Sequence, residues 1–167
     1  CLVFRRVLFR SGITFMQDGM ADLQGAALFT HLPADTFIGR IKLVLIGMLF
    51  TVITQSSSAG VASALTALFT GLISFEQAAA MVIGMDIGTT VTAALATIGG
   101  SVDARRTGYS HVIYNIFTGI FALVLLTPYM LLWEKLAPGS LMANAEIALV
   151  AFHNTLNTLG VIILLPF

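Results

Sequence analysis

Apolar residues run along this chain in long blocks, and short polar knots interrupt them. Ile41 to Ile53 and Val61 to Ile73 contain a single charge, Lys42. Between them stands Thr54-Gln55-Ser56-Ser57-Ser58-Ala59-Gly60, a row of amide and hydroxyl side chains. Each arm is about 15 residues, roughly 22 Å as a helix at ~1.5 Å per residue, whereas a hydrocarbon core of ~30 Å asks for about 20 residues. Neither arm crosses comfortably alone. The pattern predicts a re-entrant helical hairpin that dips into the membrane and turns back, with Gln55 to Ser58 at its tip near mid-depth. Irregular backbone at that depth is tolerated only when buried in protein or lining a water-filled cavity, so the tip should line a site. The competing reading is a serine-rich extramembrane turn between two short spanning helices; the short arms and a second polar interruption favour the site.

That second interruption lies inside Phe75 to Gly99, a segment long enough to cross, at Gly84-Met85-Asp86-Ile87-Gly88-Thr89-Thr90. Two glycines flanking a carboxylate, followed by two hydroxyls, predict a discontinuous transmembrane helix that unwinds at the bilayer centre. An ionisable group at that depth is a functional-site hypothesis by default, which makes Asp86 the sharpest single residue. Elsewhere Gly12 to Phe29, with Asp18 and Asp22 at i, i+4, reads as the remainder of a membrane helix, broken by His31 to Asp35. Asp35 or Thr36 caps the next helix. After a turn at Gly99 to Asp103, Arg105 and Arg106 mark an interface. Tyr109 to Trp133 is a 25-residue apolar helix bent near Pro128 and closed by Tyr129, Trp133, Glu134 and Lys135. Pro138-Gly139 turns the chain, and Ile147 to Phe167 is a last span containing His153, Asn154 and Asn157.

An internal echo, His111-Val-Ile-Tyr114-Asn115 and His153-Asn-Thr-Leu156-Asn157, repeats H-x-x-[YL]-N. At i and i+4 each His shares a helix face with its Asn, and two such faces can meet inside a bundle. Histidines so placed among apolar residues are read as interhelical hydrogen-bond partners, not ligands. Met16, Met20, Met48, Met81 and Met85 are read as packing.

Composition sharpens the class. Of 167 residues, 57% are hydrophobic and 10% charged, and the mean hydropathy is +0.96; soluble domains are about a quarter charged. The expectation is an all-α integral membrane protein. Zero net charge gives no electrostatic argument for nucleic acid, and a single cysteine excludes a disulfide framework or a cysteine metal site. Basic residues divide too evenly, with Arg40, Lys42 and Lys135 against Arg105 and Arg106, for the positive-inside rule to orient the chain. Phe4-Arg5-Arg6-Val7-Leu8-Phe9-Arg10-Ser11 reads like a translated sequencing adapter, so residues 1–11 are set aside as a non-native segment. The chain is expected to be truncated upstream and, at Leu165-Pro166-Phe167, downstream. With no G-x-S-x-G elbow, H-E-x-x-H helix or P-loop, it is not read as an enzyme.

A translocated anion must exchange water for protein donors. The Ser56, Ser57 and Ser58 hydroxyls, the Gln55 amide and the free N–H groups that open the second arm can supply them, with that arm's positive dipole end alongside. The carbonyls ending the first arm, the Gln55 oxygen, Asp86 and the Thr89 and Thr90 hydroxyls are hard oxygen donors of the kind an alkali cation accepts. Broken helices in transporters commonly divide the labour in this way.

Gln55-Ser56-Ser57-Ser58-Ala59, then Gly84-x-Asp86-Ile87-Gly88-Thr89-Thr90-Val91-Thr92-Ala93, then Ala104-Arg105-Arg106 leading to His111-x-x-Tyr114-Asn115, and finally His153-x-x-x-Asn157 and Leu164-Leu165-Pro166-Phe167, together resemble the sodium/phosphate cotransporter type II related family over residues 12–167. The resemblance implies two inverted repeats, each with a QSSS hairpin, and sodium and phosphate sites between them. Only one repeat is visible; the arginine pair and closing run look like the second, so the first is an expected partner, and a homodimer is a further one. By resemblance Gln55, Ser56, Ser57, Ser58, Thr89 and Thr90 bind phosphate, and Gln55, Ser57, Asp86 and Thr89 bind sodium, the coupling ion; no other cofactor is implied. The implied location is the bacterial inner (cytoplasmic) membrane, multi-pass, and some relatives carry a PhoU-like domain downstream. Two departures stand out: Met85-Asp86 replaces a frequent Ala-Asn or Gln-Asn, and Leu156 replaces a frequent Phe. The implied activity is sodium-coupled phosphate transport, with sodium binding first. The rival readings are transport of another oxyanion or an organic anion, and a non-transporting membrane scaffold or sensor.

Overall fold

The computed structural model describes residues 2–22 and 33–164. All regular structure among the described residues is helical: α1 (Leu2–Asp22), α2 (Phe37–Thr54), α3 (Ser57–Phe69), α4 (Phe75–Ala96), α5 (Val102–Leu136), the single turn α6 (Ser140–Ala143) and α7 (Ala145–Leu164). By length and composition α2, α4, α5 and α7 can each cross a membrane. Of the segment read as a membrane remnant over Gly12 to Phe29, residues 12–22 belong to α1, which begins at Leu2 and is not among those four, and residues 23–29 lie outside the described residues. Of the break expected over His31 to Asp35, residues 33–35 are described and non-helical; residues 31–32 lie outside the described residues, as does the end of the last span at 165–167.

Helix α4 is the centre, flanked by α2, α3, α5 and α7. Its sequence explains why: Ala78, Ala79, Ala80, Met81, Val82, Ile83 and Met85 are buried on every side of it, and a helix apolar all round belongs in the middle of a bundle. Small residues let its neighbours approach to backbone contact. A methyl group on Gly84 would overlap the Val44 carbonyl, and one on Gly47 of α2 would overlap the Met81 carbonyl. Close backbone approach of this kind is how helices associate where lipid removes the hydrophobic drive between them.

This packing corrects the discontinuous helix. Helix α4 runs unbroken from Phe75 to Ala96, through Gly84-Met85-Asp86-Ile87-Gly88-Thr89-Thr90. The glycines admit α2 without unwinding the backbone. The hydroxyls bond back to their own helix, Thr89 to the Asp86 carbonyl at 2.6 Å, Thr90 to that of Ile87 at 2.7 Å and Thr92 to that of Thr89 at 2.7 Å, so their protons need no unwound partner.

Both ends of the central helix are secured. Ser74 and Gln77 form a reciprocal capping box at its start. Glu76, one residue into the helix, meets Arg40 of α2 at 3.3 Å, and the same guanidinium donates to the Ala34 carbonyl and to Thr127 of α5, each at 2.8 Å. Arg40 thereby joins three helices at one end of the bundle, where the sequence placed it simply near headgroups. Next to this clamp, Tyr129 packs edge-on to Phe152 at 5.0 Å and donates to the Ala148 carbonyl at 2.8 Å, tying α5 to α7.

Helix α5 has 35 residues, roughly 52 Å at ~1.5 Å per residue, and so overshoots a ~30 Å hydrocarbon core. It starts at Val102, capped by Ser101, and includes Arg105 and Arg106, where a turn and a later start were expected. Its charged first turns and its Trp133-Glu134-Lys135 end are the parts that project. Pro128 lies within the helix.

Gly84→Leu should lower the stability of the purified protein by about 3 kcal/mol or more, because a backbone carbonyl cannot repack around the added side chain. Gly19→Ala, at a helical glycine with open space around it, should leave stability unchanged or raise it by up to ~1 kcal/mol. Thermal unfolding in detergent distinguishes the two.

Candidate functional site

The expected break at the serine run is present and very short. Thr54 ends α2, Gln55 adopts a left-handed conformation (φ 53°) with its N–H on the Thr51 carbonyl at 2.7 Å, and Ser56 is extended. Among the described residues Gln55 is the one non-glycine with positive φ, a conformation that costs a side-chain-bearing residue about 1 kcal/mol. Ser56 then caps α3, its Oγ accepting from the Ala59 N–H at 3.2 Å. Two helix ends therefore meet within two residues: the last carbonyls of α2 and the first N–H groups of α3 emerge side by side. The arms are unequal, 18 residues for α2 and 13 for α3, or roughly 27 and 20 Å at ~1.5 Å per residue.

The tip is placed by α3's packing. Gly60 is buried, and a methyl group there would press on the Met85 sulfur at 2.9 Å and on the Phe50 ring at 3.3 Å. That contact draws the first turn of α3 alongside the middle of α4. The result is a cleft of about 310 Å³ lined by Ser57, Ser58, Val61, Ala62, Leu65, Asp86 and His153. Residues almost a hundred positions apart thus share one space, with a helix start and two serines on one wall and a carboxylate on the other.

Asp86 does not stand alone. His153 Nε2 lies 3.1 Å from its Oδ1 and 2.9 Å from its Oδ2, and Asn157 Nδ2 donates to Oδ2 at 3.3 Å and to the His153 carbonyl at 3.0 Å. Tyr114 of α5 donates to the Asn157 carbonyl at 2.9 Å. The two H-x-x-[YL]-N faces therefore do meet, but through Tyr114 and Asn157. His111 is exposed, and Asn115 bonds back to the His111 carbonyl at 3.1 Å. Behind Asp86 lies a second void of about 20 Å³, with Thr118, His153 and Asn157 in its wall.

Of the sequence-derived site residues, Ser57, Ser58 and Asp86 are brought together. Ser56 is occupied as a cap, and Gln55 is exposed at the tip and outside the cleft lining. Thr89 and Thr90 sit one turn further along α4, Thr90 at 3% exposure, and neither lines the cleft. His153 was read from the sequence as an interhelical hydrogen-bond partner, and it is one, bonding from α7 to Asp86 of α4; what that reading did not foresee is that the same side chain lines the cleft. Thr51, also buried, has a hydroxyl oxygen with no hydrogen-bond partner one turn before the tip.

Three comparisons bear on this arrangement. The family profile described as Na+/Pi-cotransporter matches residues 8–161. The chain is 32% identical over 141 residues to the uncharacterized protein YqeW of Bacillus subtilis, covering 84% of this chain and 45% of that one. It is 30% identical over 140 residues to YjbB of Escherichia coli, whose name assigns it provisionally to inorganic phosphate export, covering 84% of this chain and 24% of that one. The chain thus spans less than half the length of these relatives. No solved structure gives a significant match.

Ser56→Ala should destabilise the protein by about 1 kcal/mol through loss of the α3 cap, whereas Ser58→Ala, at an exposed position, should change stability by less than about 0.5 kcal/mol. Thermal unfolding of the two variants checks the capping geometry.

Proposed function

Because this chain belongs to the Na+/Pi-cotransporter family, we propose that it is one half of the core of a sodium-coupled inorganic phosphate transporter. Its membership and its four spanning-length helices make it a multi-pass membrane protein. The finer reading rests on one observation: Ser57 and Ser58, at the start of a 13-residue apolar helix, face Asp86 across a single cleft.

Phosphate is received at the tip. The first N–H groups of α3 and the Ser57 and Ser58 hydroxyls are donors that replace its water, and the positive end of the helix dipole favours its charge. Gln55, Thr89 and Thr90 complete the phosphate set in the transporting state, with Ser56 held as the cap that orders it. Sodium takes oxygen donors: Asp86, the Gln55 amide oxygen, Ser57 and Thr89. Each carboxylate oxygen has two lone pairs, so Asp86 can accept from α7 and still offer oxygen to a cation. Sodium binds first and offsets the carboxylate; phosphate then docks, and the loaded hairpin exposes the site to the other side.

The membrane arrangement follows from lengths. Helix α3, at roughly 20 Å by ~1.5 Å per residue, falls short of a ~30 Å core, which supports a re-entrant hairpin whose tip stops inside. An inverted first repeat would supply the opposite wall, the whole lying in the bacterial inner membrane as a homodimer. The family match over residues 8–161 supports reading the body of the chain as one such repeat.

Reconstituted with the rest of the transporter in proteoliposomes, the protein should move radiolabelled phosphate in a sodium-dependent way, measured in both directions. Ser57→Ala should raise the phosphate KM by roughly 10- to 150-fold, the loss of one hydrogen bond to a charged ligand at about 1.5–3 kcal/mol, and Asp86→Ala should weaken sodium dependence. Unaltered transport in both variants would overturn the site, and equal competition by sulfate would widen the substrate class to other oxyanions. Gln55→Gly relieves the left-handed backbone, so melting should hold or rise while uptake falls; unchanged uptake would remove Gln55 from the ligand set.

A further inference from the structure

An anion site and a carboxylate share one cleft, and like charges in a partly dry space repel. The cleft's other walls are Val61, Ala62 and Leu65, so within the protein, and besides the coupling sodium proposed above, only α7 can offset that repulsion. What meets the Asp86 carboxylate is α7. We infer that His153 is the positioning residue of this site: it caps the Asp86 carboxylate and turns its charge toward α7, away from the serine tip, so that phosphate can be accepted beside it. The inference rests on the phosphate reading above and adds a residue to it.

The geometry is that of a cap. One ring nitrogen sits between both carboxylate oxygens, at 3.1 and 2.9 Å. Opposite a carboxylate that nitrogen is the donor. Asn157 reinforces it, donating to Oδ2 at 3.3 Å. The turn of α7 that carries His153 is held in place. Phe152 and Leu156, at 1% and 7% exposure, seat α7 in the core on either side of it. The Asn157 side chain grips the His153 carbonyl at 3.0 Å, and Tyr114 grips the Asn157 carbonyl at 2.9 Å. Yet the pair is not sealed off: the His153 and Asp86 side chains remain 28% and 25% exposed, and both line the cleft with Ser57 and Ser58. A purely structural tie between α4 and α7 has no need to face the serines.

The cap has a specific genetic signature. Removing His153 leaves the carboxylate in the anion's space with only the longer Asn157 bond; removing the carboxylate as well makes the cap unnecessary. Phosphate KM and kcat are measured at saturating sodium for the wild type, His153→Gln, Asp86→Asn and the double variant, in the whole transporter. His153→Gln should raise phosphate KM on the order of tenfold, with a smaller effect on kcat, and Asp86→Asn in the same protein should restore KM to within about threefold of that of Asp86→Asn alone. A double variant whose KM stays as high as that of His153→Gln overturns the inference. Melting of the four purified proteins is read in parallel: the two substitutions should be non-additive, and additive losses overturn the pairing itself. Non-additive melting without KM rescue leaves a structural tie only and likewise overturns the positioning role. Absence of sodium-dependent phosphate movement in the wild type fells the transport reading, whereas failure of rescue in an active wild type fells this one alone.

Discussion

Backbone-to-backbone contact between α2 and α4 is the constraint on which the rest of the structure depends. Gly47 lies against the Met81 carbonyl and Gly84 against that of Val44, so the two helices touch where side chains would otherwise hold them apart. In lipid the usual gain from hiding apolar surface is largely absent, and close dispersion contact takes its place. Once α2 is seated so closely, its carboxyl end is fixed, the two-residue link sets the start of α3, and Gly60 admits α3 against Met85. The position of the serine tip beside Asp86 follows from these three glycine contacts.

The polar groups of the core are arranged so that few are left without partners. Threonine hydroxyls on α4 return their protons to carbonyls of their own helix, Arg40 distributes its donors over α4, α5 and the segment before α2, and Asp86 is met by His153 and Asn157. Each arrangement removes the cost of an unpaired polar group in an apolar setting. At the α2–α3 link two helix ends expose carbonyls and N–H groups together, with the unpartnered Thr51 hydroxyl one turn away; the Trp133 indole nitrogen near the end of α5 is likewise buried without a partner.

Some elements were legible because one residue type has one physical use there. Three consecutive serines after a glutamine, between apolar arms, break a helix and cap the next, and the break lies at Gln55 and Ser56 as read. The glycines of 84–90 were misleading because glycine serves two purposes: it loosens a helix, or it lets another come near. Nothing local separates these uses; α2 does. The same ambiguity hid His153. A histidine and an asparagine four residues apart mark a helix face, but whether that face meets a carboxylate depends on α4's rotation about its own axis.

The amino-acid sequence by itself determined that this is a helical membrane protein, that the chain breaks at the Gln55–Ser56 link, and which family's motifs it carries, because hydropathy, capping and motif order are properties of neighbouring residues. Only the tertiary structure decided that α4 stays whole, that Ser57 and Ser58 share a cleft with Asp86 while Thr89 and Thr90 do not, and that His153 of α7 caps the carboxylate. Those outcomes depend on how closely helices approach and which faces they turn to one another, and such distances are settled by packing between segments far apart in the chain.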